Sequence, residues 1–242
     1  MRNNPQKITL CLDLFFKGIS TRQVQNHLKQ FYPHNSSWVS VYNWVVKYSN
    51  LIHNKISNIN LNVGNELEID EMEVGKRKSK YNGWFIDSID TKTRYMVSSE
   101  FARKRDFKEI NKVVSRAKKK TNGSILIYTT DGFNVYEKVI KRNAGYLNLK
   151  KGLIKHNQVT QLKGEGFNHK IERLHNSVRH RIKTFRGFHG SVDSANSIMK
   201  GFEIHYNFIR PHLALKGKTP SELATDIKLK DNKWLELIEM SC

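Results

Sequence analysis

The apolar positions of residues 7–50 recur at helical spacing, with no strand-like alternation. Ile8, Leu12 and Phe15 predict one helix, Gly18 breaks it, and Ser20-Thr21 supplies an N-cap for a second. In that second helix Val24, Leu28 and Phe31 fall on one face, and Pro33 ends it. A third is predicted after Ser36-Ser37, where Val41, Trp44, Val45 and Tyr48 stand at i, i+3, i+4 and i+7. Three short helices with a glycine turn fit a helix-turn-helix unit over residues 1–50, and equally a small helical bundle packed on the rest. Residues 51–64, rich in Asn and closed by Gly64, read as a linker.

Period-two alternation then takes over. Leu67 to Val74 interleaves apolar and acidic residues, the mark of a half-buried strand. Trp84 to Ile89 and Tyr95 to Phe101 are further strand candidates joined through Asp90-Thr91-Lys92-Thr93, which predicts an antiparallel meander. Residues 106–120 read as a basic helix, and Ser124 to Thr129 as a short buried strand ending at Thr130-Asp131-Gly132. Asn134 to Lys141 follow as a helix. From Asn168 an apolar stripe of Ile171, Leu174, Val178, Ile182 and Phe185 predicts a long helix, ended by Gly187 and Gly190. Val192, Ala195, Met199 and Phe202 mark another, and Thr219-Pro220-Ser221-Glu222 reads as a capping box. Residues 65–225 thus form an α/β core with C-terminal helices, and 226–242 are left as a tail.

Charge changes the picture. Lys and Arg number 42 against 22 Asp and Glu, a net charge of +20. Such a surplus repels itself in a compact chain and answers to a polyanion, nucleic acid or an anionic membrane. No apolar run approaches the roughly 20 residues that span a bilayer, and the first residues carry no signal-peptide pattern. That leaves nucleic acid, and it turns the three-helix front end toward DNA: its third helix would lie in the major groove and offer Ser40, Asn43 and Lys47. Two cysteines at opposite ends, Cys11 and Cys242, exclude a disulfide framework and a Cys-based zinc module, so the default setting is cytoplasmic, by the nucleoid.

Three acidic residues stand where strands and helices can aim them at one point: Asp70 in mid-strand, Asp131 at the end of the buried strand, and Glu172 on the long helix. Taken singly, Asp131-Gly132 also reads as a turn, Asp70 as an outward strand residue and Glu172 as a solvated helix position. Together on a basic DNA-binding surface they would repel phosphate unless a cation intervened, and hard oxygen ligands select Mg²⁺ or Mn²⁺ over zinc. Two such ions suit in-line phosphoryl displacement, the chemistry of nucleases and strand transfer.

The segments Ile69-Asp70-Glu71, Thr130-Asp131 and Asn168-His169-Lys170-Ile171-Glu172-Arg173 resemble the three signature blocks of insertion-sequence transposases in the retroviral-integrase superfamily. The likeness is to the compact bacterial and archaeal enzymes of the Insertion Sequence Six type. Their third block has an Asn-rich start, a Glu and a basic residue seven positions later, and Arg179 holds that place. Positions i and i+7 return to one helix face, so a carboxylate could hold metal while the cation grips a phosphate. His175 and Asn176, at +3 and +4, are read on that same side, and Lys183 is counted with them as a DNA contact. Downstream, His205-Tyr206-Asn207-Phe208-Ile209-Arg210-Pro211-His212 and Thr219-Pro220-Ser221-Glu222 are similar to the tail behind the catalytic helix of many transposases. The resemblance implies an RNase H-like core, a mixed sheet flanked by helices, behind an all-α helix-turn-helix region. It implies Asp70, Asp131 and Glu172 as catalytic residues and ligands of two Mg²⁺ or Mn²⁺ ions. Terminal inverted repeats and target DNA would be the partners, held by a homo-oligomer of at least two chains.

One interval departs from the family pattern. Forty residues lie between Asp131 and Glu172, more than the family's usual spacing, whereas thirty-three lie between Asp131 and Glu165. Glu172 is chosen because Lys163-Gly164-Glu165-Gly166 is too flexible a setting to position a ligand. Two rival readings remain: a DNA-binding regulator descended from such an enzyme, and a nuclease that cuts without joining.

Overall fold

The computed structural model describes residues 4–32, 36–75, 82–159, 169–184 and 191–242. Helix α1 (Pro5–Phe16) opens with Asn4 accepting the Gln6 and Lys7 N–H groups, and Ile8, Leu12 and Phe15 are buried as the pattern predicts. Gly18, at φ 117°, makes the turn. In α2 (Thr21–Phe31) Ser20 and Gln23 form a reciprocal capping box. Phe31, expected on the inner face with Val24 and Leu28, instead rests exposed against the His27 ring. Pro33 lies outside the described residues.

Helix α3 (Trp38–Ile56) starts at the Ser37 cap and runs six residues into the stretch read as a linker. The physical reason is that Ile52 and Ile56 continue the stripe of Val41, Val45 and Tyr48, and burying them offsets the cost of ordering the turn. Past the helix the chain is tied down: Leu61 donates its N–H to the Lys120 carbonyl at 3.0 Å and Asn62 to the Ala224 carbonyl at 2.8 Å. The helical front end therefore shares one hydrophobic core with the α/β unit.

Strands β1 (Glu66–Val74), β2 (Gly83–Asp90) and β3 (Met96–Ala102) form the antiparallel meander. Helix α4 (Phe107–Lys120) leads to β4 (Ile127–Asp131), which pairs parallel with β1. After α5 (Asn134–Ala144) come two elements that the sequence pattern left as loop, α6 (Tyr146–Lys150) and β5 (Lys155–Val159), the latter parallel to β4. The strand order β3-β2-β1-β4-β5, with helices on both faces, is the RNase H-like arrangement. One face carries α4 and α5, through Arg116–Glu100 at 2.5 Å and the Tyr136 hydroxyl on Glu71. The other carries α7 (His169–Thr184) and α8 (Val192–Ile204).

Helix α8 continues into a wider π turn, His205–Ile209, in which Asn207 bonds both backbone groups of Met96. Packing of α8 on α3 is close enough that a Cβ at Gly201 would lie 2.1 Å from Phe16 and 2.2 Å from Ser49. Glu222 reaches back to the Thr219 N–H at 2.6 Å, the acid half of the anticipated capping box, before α9 (Ser221–Ala224). The segment 226–242, read as a tail, contains α10 (Lys233–Glu239), capped by Asn232, with Trp234, Leu237 and Ile238 buried and Trp234 stacked on Phe16 of α1. Among the described residues no helix is long and apolar enough to cross a membrane.

Candidate active site

Strand β1 carries an acid at every second position of one face, Glu66, Glu68 and Asp70, and each has a different occupation. Glu66 accepts from the Thr91 hydroxyl at 3.1 Å and the Thr129 hydroxyl at 2.8 Å, lashing β1 to β4. Glu68, 2% exposed, accepts the backbone N–H groups of Lys170 and Ile171 at 2.9 Å each, with the Lys170 ammonium 3.4 Å away. These are unpaired donors of the first turn of α7, where helix geometry and dipole favour an anion. Glu68 thereby fixes the start of α7 over β1, and Glu172 follows one residue after the second bonded N–H.

Asp70 is one-fifth exposed, with Oδ1 on the Glu71 N–H at 2.8 Å and Oδ2 3.5 Å from His175 Nδ1. Burial pushes its pKa up to about 7 against the opposing pull of His175 and the backbone bond. Its cross-strand partner Asp87 is fully buried and bonds His175 Nε2 at 2.7 Å. Burial also raises the Asp87 carboxyl, with His175 opposing. For His175, burial alone would lower the ring's pKa, but the two aspartates outweigh it and the net shift is upward.

The ladder between β1 and β4 ends at Glu68 and Thr129, and two residues further along each strand stand Asp70 and Asp131. Carried two residues on, that register sets position 70, in the middle of β1, opposite position 131, the last residue of β4. Asp131 accepts the Phe133 N–H at 2.9 Å, so the turn that the sequence also allowed exists and is made by the same residue. On the opposite face, as alternation requires, buried Glu71 takes the Tyr136 hydroxyl and an Arg105 N–H at 2.9 Å. The Arg105 guanidinium lies 4.3 Å from the Trp84 ring centre and 4.6 Å from that of Phe133, buttressing the Asp131 turn from behind.

Glu172 is exposed in the first turn of α7. Among the described residues no three His, Cys, Asp or Glu side chains form a group that could hold a metal ion, so Asp70, Asp131 and Glu172 are not gathered into one. Glu165 lies outside the described residues. Arg179 and Asn176 share the exposed side of α7, joined at 3.3 Å, and Lys183 is exposed too. His175, read on the same side as Asn176, is 2% exposed and faces the sheet instead. At 100° per residue, i+3 turns back by about 60° and i+4 forward by about 40°, so the two positions part at the edge of the buried stripe. On α3, Asn43 and Lys47 are exposed, and Ser40 is half-buried with its hydroxyl on Ser37. Sequence reasoning missed Glu68 and Asp87. The first was signalled by its place two residues before Asp70, whereas the second needed the β1–β2 register.

A family model described as a DDE domain, of the insertion-sequence transposase type, matches residues 66–212. The chain belongs to this family, whose members are polynucleotidyl transferases. Among curated proteins none matches the sequence significantly. Of solved structures, a simian T-cell lymphotropic virus intasome in complex with PP2A regulatory subunit B56 gamma is similar at TM-score 0.50 and 11% identity, over 91% of this chain and 74% of that one. The HTLV-2 integrase catalytic core domain in complex with magnesium gives TM-score 0.48 and 16% identity, over 67% of this chain and 97% of the other. At 11% identity the likeness to the intasome speaks for the fold alone.

Proposed function

We propose that the chain is a transposase that cleaves DNA strands at the ends of an insertion sequence and joins them to target DNA, with Asp70, Asp131 and Glu172 holding two Mg²⁺ or Mn²⁺ ions. The observation that carries this is the β1–β4 register, which sets the positions of Asp70 and Asp131 opposite each other two residues past its last pair, with the start of α7 bound to the same face of β1 through Glu68. The donor set fits such ions in part. Two carboxylates of hard oxygen share this register, and a nearby cation would offset the burial that pushes Asp70 toward its protonated form. When bound, the ions would activate the attacking oxygen and offset charge on the leaving one.

The chain's own residues divide the remaining work. His175, held by Asp87, orients the Asp70 carboxylate. Asn176, Arg179 and Lys183 line the outer side of α7, where they would meet backbone phosphates. Residues 1–50 would add the element-specific contacts, with Asn43 and Lys47 on the outer side of α3 and Ser40 at its first turn. Two ends joined in one event call for a homo-oligomer on terminal repeats and target DNA.

Labelled element ends incubated with the protein and Mg²⁺ test the reading. Cut strands and joined products are expected, falling roughly 10²–10³-fold or more in Asp70→Asn, Asp131→Asn and Glu172→Gln. Cutting without joining would reduce the enzyme to a nuclease, and binding alone to a regulator. An active Glu172→Gln beside a dead Glu165→Gln would move the third ligand to Glu165.

A further inference from the structure

Between α1 and the middle of α7 the surface opens into a cavity of about 590 Å³ whose charged lining is almost all cationic. Lys17, His180, Arg181 and Arg210 contribute the basic groups, and Asp13 is the one carboxylate among the described residues that line it. That carboxylate is already engaged with Lys17 at 2.6 Å. Arg181 is 8% exposed, an uncommon burial for a guanidinium, which is lodged beside a second arginine. Burial, and then Arg210, pull its pKa down to about 10, with Asp13 opposing. His205 completes the lining: it is 6% exposed, and its Nδ1 is buried with no hydrogen-bond partner. A buried polar atom without a partner costs stability unless something completes the bond.

We propose that this cavity is a phosphate subsite that takes one backbone phosphate of the DNA flanking the scissile position, gripped by Arg181 and Arg210 with His205 Nδ1–H as a further donor. Its position fits that role. Asn176 and Arg181 of the lining stand four and nine residues after Glu172, about 6–14 Å along the helix axis. At roughly 3.4 Å of rise per nucleotide, that is two to four steps from the reacting phosphate. Arg210 is anchored for the task by a 3.3 Å bond to the Ser177 hydroxyl of α7. Because Asp13 belongs to α1 and Lys17 caps its end, the subsite would also join the front end and the catalytic helix on one strand. The assignment to DNA rests on the proposed function, but the binding does not require catalysis.

The test is duplex binding without divalent metal across a salt series, for wild type, Arg210→Gln and Arg181→Gln. Arg210 is exposed, so its variant keeps the test open should Arg181→Gln fail to fold. Each folded variant is expected to lower the slope of log affinity against log salt by about 0.9, the value of one phosphate contact, and the double variant by no more than either alone. The ring nitrogen resonances of His205 should move on adding duplex. Folded variants with the wild-type slope overturn the proposal. So does a His205 response to inorganic phosphate alone with no change of slope, which would mark a free-anion site. A chain that shows the expected slope yet never cuts would sink the proposed function and leave this subsite standing.

Discussion

At the residue scale, His175 is the side chain on which the site's geometry turns. It lies between a fully buried aspartate and a partly exposed one, so its removal leaves Asp87 as an unpaired buried acid whose Oδ2 already lacks a partner. Breaking a buried pair in this way costs about 3–5 kcal/mol, and His175→Ala should lower the urea midpoint accordingly. A midpoint equal to that of an exposed control such as His180→Ala would contradict the pairing. His205 gives a second, pH-dependent reading. Burial and the neighbouring Arg181 and Arg210 push its pKa down to about 3, against roughly 6.5 unfolded. Above pH 6.5 the ring is neutral in both states and contributes no pH dependence. Between 6.5 and 3 only the unfolded state takes the proton, so stability is lost as pH falls. Relative to wild type, His205→Gln should therefore gain about 1.4 kcal/mol per pH unit between pH 6.5 and 5, read from unfolding curves at each pH. A gap that stays constant with pH would show the ring to titrate normally.

At the element scale, the packing of α8 on α3 makes the front end part of the core. Gly201 is where that contact is closest, because the Phe16 ring and the Ser49 hydroxyl occupy the space a side chain would need. Gly201→Ala should destabilise by about 1–3 kcal/mol through overpacking, and a melting temperature unchanged by the substitution would show that α3 and α8 are looser than described. The helices and strands with a full apolar period were legible in the sequence: α1 to α3, the meander, α4, β4, α7 and α8. β5 was not, because Lys155-His156-Asn157-Gln158 carries no alternation and the strand is held to β4 by backbone pairing and a bond between His156 and the Thr130 hydroxyl. α10 was written in Trp234, Leu237 and Ile238 behind an Asn cap, but seven residues are too few for periodicity to stand out from a polar tail. Of the site, the identities of Asp70 and Asp131 were legible because each closes or interrupts an apolar run. The contacts of Glu68 and Asp87 were not, since they depend on which strand lies beside which.

At the scale of the whole molecule, a chain with a net charge of +20 carries Glu66, Glu68 and Asp70 along one face of β1. Acids on β1 bind the start of a helix and hold a histidine, while the outer side of that helix presents Asn176, Arg179 and Lys183. On the proposed function, the surplus of cations would draw in the DNA backbone, and these acids would need divalent cations before a phosphate could approach them. The central claim is that Asp70 and Asp131 are two ligands of one ion centre. Crystals soaked in Mn²⁺ and measured for anomalous scattering test it most directly. The account predicts a peak bridging the two carboxylates at metal–oxygen distance, absent in Asp131→Asn. A fully soaked crystal with no peak there, or with Mn²⁺ bound only elsewhere, would contradict it.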